Sequence, residues 1–258
     1  MGDCLLSRLH EFQELFSFNF SLNKITAWEK DEQTVLVILV DVKGSAYRLP
    51  GTKMLMTSGG TMVGTISGGC LEADLYEWAT KVFENRKPMT LKYDLSDTEI
   101  WSLGIGCKGD LEILFLPIFP QDETWKKVEK HLANEESFTL IIEMENGQTK
   151  VLQEMNSKLH NDTNLPIELI EYAEAIYMKQ TRAEVIEHQN KRYYMDVVKP
   201  SERLIVAGAG KDAVPLVELA YKAGFSVTVL DTRSNLNNLQ HFPHAKHITT
   251  PIESLTAS

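Results

Sequence analysis

Hydrophobic positions follow two periods along this chain, and the period changes where the elements change. The longest apolar run, TVLVILV (Thr34 to Val40), is β-branched and of strand length, which predicts a buried strand rather than a membrane span. Lys53 to Thr57 and Thr61 to Ile66 predict two further strands around a Ser58–Gly60 turn. In CLEADLYEWATKVFEN, Leu71, Leu75, Trp78, Ala79 and Val82 recur at helical spacing, so a helix should start near Cys70. Strands are predicted over Leu91 to Leu95 and Asp110 to Phe119, a helix over Gln121 to Leu132, and a strand over Phe138 to Met144 that returns through Asn146-Gly147 into Lys150 to Gln153. NSKLHNDTNLP predicts a loop, Ile167 to Met178 a helix, and AEVIEHQNKRYYMDVV a hairpin turning at Gln189 to Lys191. At the amino terminus, Leu5, Leu6, Leu9, Phe12, Leu15 and Phe16 keep helical spacing.

After Pro200 the pattern becomes strand, glycine turn, amphipathic helix, Gly224, strand and acidic end, which is a βαβ unit. The expected class is therefore α/β: a mixed α+β domain over 1–199 with a connecting hairpin region, then a Rossmann-like domain over 200–258. The boundary is expected near Lys199 to Glu202. A doubly wound domain has about six strands and this stretch supplies about three, so the sheet is either a fragment or completed by another subunit. A short helix over Leu236 to His241 and a strand over His247 to Thr249 are expected to close it.

Composition narrows the function classes. A net charge of −10, with no dense Lys/Arg cluster, argues against general nucleic-acid binding. The absence of a transmembrane-length apolar run argues against membrane insertion, and the first residues lack a signal peptide's basic start. Three cysteines (Cys4, Cys70 and Cys107) are odd in number and widely spaced, which fits a reducing cytoplasm rather than a disulfide framework.

Two regions carry candidate chemistry. In the carboxyl-terminal turn, Gly208, Gly210 and Ala213 match a G-x-G-x-x-G/A fingerprint between a strand and a helix, and Asp231 stands where an acidic residue would grip a ribose. The readings are bound NAD(P), as in an oxidoreductase, or a packing domain without nucleotide. In the amino-terminal half, seven of the fifteen glycines fall between Gly44 and Gly69. Backbone N–H groups of Gly44-Ser45 and Gly68-Gly69 are candidates to cradle an anion, with Arg48 as a planar fork. Glu72, in the first turn of its helix, either accepts from a ligand or stabilises the helix dipole. Cys107, flanked by Gly104, Gly106 and Gly109, is either a soft-metal or sulfur ligand or an inert core thiol. Cys70, near the helix start, is open to the same two readings. Spacing excludes a C-x-x-C zinc site.

GSAYRLPGTKMLM, GTISGGCLEADL and LGIGCKGDLEIL, in this order and followed by GAGKDAVPL, resemble the xanthine dehydrogenase accessory (XdhC/CoxI) family. One departure is Tyr47, where the family commonly has proline. The resemblance implies a chaperone rather than a catalyst: a dimer that binds molybdenum cofactor, protects it and delivers it to a xanthine dehydrogenase-type molybdoenzyme. It points to Gly44, Ser45, Arg48, Gly68, Gly69, Glu72 and Cys107 as the cofactor-binding set, with Cys107 towards the metal.

Overall fold

The computed structural model describes residues 32–94, 109–119, 121–155, 158–160, 164–179 and 183–249. Among the described residues, those up to Pro200 belong to one compact unit and those from Ser201 to another. The class is α/β, with a mixed first unit and a Rossmann-like second one.

β1 (Thr34–Gly44) is the spine of the first sheet. It pairs antiparallel with β2 (Lys53–Thr57) on one side and β5 (Gly109–Ile118) on the other. β3 (Met62–Gly64) and β4 (Met89–Asp94) form the edges, giving the order β3-β2-β1-β5-β4. Thr34 to Val40 are buried on both faces, which explains the unbroken apolar run. Val35, Val37 and Leu39 lie beneath α1 (Glu72–Asn85), whose Leu75, Ala79 and Val82 form the matching stripe. Burial of each larger member contributes about 1.5–3 kcal/mol. The helix stops at Arg86, which takes the left-handed conformation (φ 54°) and returns its N–H to Val82 O.

The other face of this sheet meets a second one, ordered β8-β7-β6-β10-β9. Its strands are β6 (Phe138–Glu143), β7 (Thr149–Met155), β8 (Lys158–His160), β9 (Ala183–His188) and β10 (Lys191–Val198). α2 (Glu123–Ala133), capped by the Asp122 side chain, precedes β6; α3 (Ile167–Lys179) packs on Ile141, Met195 and Val197. The β9–β10 hairpin turns on Gln189 and Asn190, both with positive φ (50° and 60°), at the place the alternation predicts. Two ion pairs join the sheets. Arg192 grips Glu112 through Nη1–Oε1 (2.7 Å) and Nη2–Oε2 (2.6 Å), and Lys53 Nζ lies 2.5 Å from Asp196 Oδ2.

In the second unit β11 (Arg203–Ala207), β12 (Ser226–Leu230) and β13 (Lys246–Ile248) are parallel neighbours in that order. α4 (Ala213–Lys222) crosses between the first two.

The structure corrects two expectations. Within the expected NSKLHNDTNLP loop, Lys158–His160 pairs with β7 as a short strand. Leu236 to His241 forms turns instead of a helix, because Asn237 and Asn238 spend their amides on main-chain groups. Asn237 Nδ2 donates to Val229 O (3.0 Å) and Ile248 O (2.9 Å), tying β12 to β13. The amino-terminal helix expected over Leu5 to Phe16 lies outside the described residues.

Candidate functional site

The glycine stretches meet at one end of the first sheet. Gly44, the last residue of β1, stands opposite Gly109, the first of β5. A Cβ at Gly109 would fall 2.6 Å from Lys43 O, 2.8 Å from Ser45 O and 2.9 Å from Ser45 N, so only glycine permits this approach. Gly109→Ala is therefore expected to push the two strand ends apart and cost about 1–3 kcal/mol, read as a fall in urea midpoint. Gly68 (φ +76°) packs on the Tyr47 ring, 2.9 Å from where its Cβ would sit. The loops carrying Ser45–Arg48 and Thr65–Leu71 are thus stacked.

Glu72 holds the second of these loops in shape. Its Oε1 accepts from Thr65 Oγ1 (2.6 Å), Ile66 N (3.0 Å) and Ser67 N (2.9 Å). Its Oε2 accepts from Ser67 Oγ (2.5 Å), Gly69 N (2.8 Å) and Leu71 N (3.2 Å). The two hydroxyls are used twice: Thr65 Oγ1 also accepts from Gly68 N, and Ser67 Oγ from Leu71 N. Burial alone would raise the carboxyl pKa; hydrogen bonds from the Ser67 and Thr65 hydroxyls and the Ser67 N–H outweigh it and hold the group at about 2.

This changes two expectations. The Gly68 and Gly69 N–H groups, expected to cradle an anionic ligand, are both taken up within the chain: Gly69 N donates to the Glu72 carboxylate and Gly68 N to the Thr65 hydroxyl that the carboxylate orients. Glu72 is correspondingly saturated by loop donors and not displayed to accept from a ligand. Sequence reasoning missed Thr65 and Ser67, although two hydroxyls and two glycines just before an acidic helix start resemble a reversed capping box.

What faces outward is different. Gly44 and Ser45 are exposed, Gly69 (φ +114°) has nothing within 4 Å of its Cβ position, and Tyr47 is 55 % exposed. Arg48 is half-buried with its guanidinium 5.2 Å from the Tyr47 ring centroid. Cys70 is a free, exposed thiol beside Gly69. Tyr47 is a further site candidate that sequence reasoning set aside as a mere departure. Cys107, Gly104 and Gly106 lie outside the described residues. Among those described, no His/Cys/Asp/Glu cluster could hold a metal ion.

The second glycine turn belongs to the other unit and is a separate feature. Gly208 takes φ +120° with open space on its Cβ side, as close backbone approach requires, whereas a Cβ at Gly210 would collide with the Asp212 carboxylate. Asp231 accepts from Ala209 N (2.8 Å), but Arg233 also clamps it through Nε (2.9 Å) and Nη2 (2.7 Å). Arg233 foremost, with the Ala209 N–H behind it, keeps the carboxyl well below the usual range. A ribose at this carboxylate would compete with that clamp.

Both regions coincide with known family signatures. Residues 27–94 match the XdhC and CoxI family, and residues 204–257 match the XdhC Rossmann domain. The chain belongs to the XdhC and CoxI family. Among relatives, it is 30 % identical over 227 residues to a protein of Bacillus subtilis (strain 168) named as a probable xanthine dehydrogenase subunit. That alignment covers 86 % of this chain and 66 % of the relative, so the chain spans just under two thirds of the relative's length. A crystal structure described as a xanthine dehydrogenase from Bacillus halodurans superposes with a TM-score of 0.72 at 27 % identity, over 95 % of this family member and 71 % of that chain. No helix among the described residues is long and apolar enough to cross a membrane.

Proposed function

We propose that this protein is an accessory factor of a xanthine dehydrogenase, and that it binds molybdenum cofactor at the glycine-lined end of the first sheet and delivers it to that enzyme. The observation that carries the reading is that Gly109 presses on Ser45 and Gly68 on the Tyr47 ring, which brings the Gly44–Arg48 and Thr65–Leu71 loops together with Gly44, Ser45 and Gly69 exposed. The name of the Bacillus subtilis relative supports the partner.

The residues fit such a group in one orientation. The Thr65–Leu71 nest already holds the Glu72 carboxylate, so the cofactor's phosphate belongs on the other loop, with Arg48 supplying a planar fork. The exposed face of Tyr47 offers a flat apolar surface to a pterin ring, and the open flank of Gly69 leaves room at its edge. Cys107 is the thiolate we assign towards the metal. When bound, the cofactor supplies redox chemistry that the client uses; this chain binds, orients and shields it. The cytoplasm and a homodimer complete the proposal.

The test is protein purified without oxygen from a host that makes the cofactor, with released pterin identified by mass spectrometry. Stoichiometric pterin is expected, reduced at least tenfold in Arg48→Ala and in Tyr47→Ala. Folded protein that carries no pterin and does not bind the client would overturn the reading. Titration of that same protein with NADH and NADPH would then examine the Rossmann-like unit.

A further inference from the structure

At the end of the first sheet away from the glycine loops, β1 begins at Thr34, β5 finishes at Ile118 and α1 stops before Arg86. A cavity of about 240 Å³ lies between them. A cavity of ~150 Å³ takes one benzene ring, and drug-sized ligands fill ~300 Å³ or more. The space therefore suits one fused two-ring body, not a pterin that also carries a phosphate. Its inner wall is apolar: Val35, Val82 and Phe83 are buried, and Pro117 and Phe119 are half-buried beside them. The rim is polar. Glu32, Gln33, Arg86 and Gln121 line it, and among the described residues none of these side chains has a hydrogen-bond or ion-pair partner. Arg86 makes one contact, its guanidinium 5.9 Å from the Phe119 ring centroid. Its left-handed backbone (φ 54°) favours glycine by about 1–2 kcal/mol, so backbone geometry does not account for an arginine there.

The rim thus offers a planar donor fork in Arg86, an acceptor-only carboxylate in Glu32, and two amides that both donate and accept. A simple acid would confront Glu32 and a simple amine would confront Arg86, each leaving a charge unmatched. A neutral flat ring that accepts twice on one edge and donates on the next satisfies both. An oxopurine has this pattern: its carbonyl oxygen and N7 match a guanidinium fork, and its N1–H donates to a carboxylate. We propose that this cavity is a small-molecule site for a free oxopurine, held by Arg86 and Glu32 at its polar edges. The apolar wall of Val35, Val82, Phe83 and Phe119 takes the ring faces. The site is distinct from the loops proposed for molybdenum cofactor, and the proposal does not depend on that reading.

The test is isothermal titration calorimetry of the full chain with hypoxanthine as the probe, and saturable binding at one site per chain is expected. Adenine carries an amino group and a bare ring nitrogen where hypoxanthine has its carbonyl and N1–H, so it should bind at least tenfold more weakly. Benzoate keeps a flat ring and an acceptor pair but lacks the N–H, and it should be weaker by a similar factor. Arg86→Gly removes the fork while easing the left-handed backbone, so it should melt no lower than the parent yet lose at least tenfold in affinity. Glu32→Ala should also lose at least tenfold. Arg86→Gly should keep the pterin that Arg48→Ala loses, which separates the two sites. Folded protein that does not bind hypoxanthine at millimolar concentration would overturn the proposal, as would binding that survives Arg86→Gly. Adenine or benzoate bound as tightly as hypoxanthine would overturn the assignment to an oxopurine.

Discussion

Replacing Asp196 with alanine is expected to destabilise the first unit by about 3–5 kcal/mol. Asp196, on β10, is 1 % exposed, and Lys53, on β2, is 7 % exposed. Lys53 Nζ donates to Gly51 O at 2.8 Å and makes its close charge contact with Asp196 across the gap between the sheets. Removing the carboxylate takes a counter-charge from a buried ammonium, and the desolvation of that ammonium then counts against the fold. By contrast, Lys53→Met with Asp196→Leu should recover most of that loss, because the pair is costly to break and cheap to replace. Urea unfolding of both variants measures the difference. A cost below about 1 kcal/mol for Asp196→Ala would mean that water reaches Lys53 and that the sheets are not sealed there. The Arg192–Glu112 pair joins the same sheets nearer solvent, with the arginine 31 % exposed, so its loss should cost less.

These pairs show where sequence reasoning reached its limit. Thr34 to Val40 is legible as a doubly buried strand because β-branched residues run without interruption, and the Gln189-Asn190 turn because alternation stops there. Lys53 and Asp196 each sit in an ordinary strand pattern, 143 positions apart, and nothing local marks a charge destined for burial. The site divides the same way. That Gly44, Gly68 and Gly109 are needed for close approach could be read from composition. That Gly109 presses on Ser45 and Gly68 on Tyr47 depends on sheet order, which no spacing revealed. The Gly69 N–H could be read as a donor to an anion, but the acceptor is Glu72, three residues on in the same motif. Likewise Asp231 stood at the expected position, while Arg233, two residues on, decides what it holds.

Glu72→Gln is expected to lower stability by about 2 kcal/mol at neutral pH, and the loss should disappear in acid. The carboxylate accepts six hydrogen bonds from one short loop, and an amide cannot replace it because its NH2 end would confront three donors. The fall from 4.5 to about 2 corresponds to roughly 3 kcal/mol by linkage, which partial exposure reduces to about 2. A depressed carboxyl pKa stabilises the fold fully above the unfolded value, and the contribution is lost as pH falls through the folded one. The stability gap between parent and variant should therefore be constant above about pH 5, narrow below 4.5 and close near 2. Other depressed carboxyls, such as Glu112, titrate in both proteins and cancel in the difference. A gap that stays constant down to pH 2 would show that the carboxylate's charge is not what holds the loop. The same substitution bears on function, since a loosened Thr65–Leu71 loop no longer presses Gly68 against Tyr47. Pterin retention should then fall in Glu72→Gln even though the carboxylate touches no ligand, and fall less in protein whose Tyr47 has already been removed, because the two act through one contact.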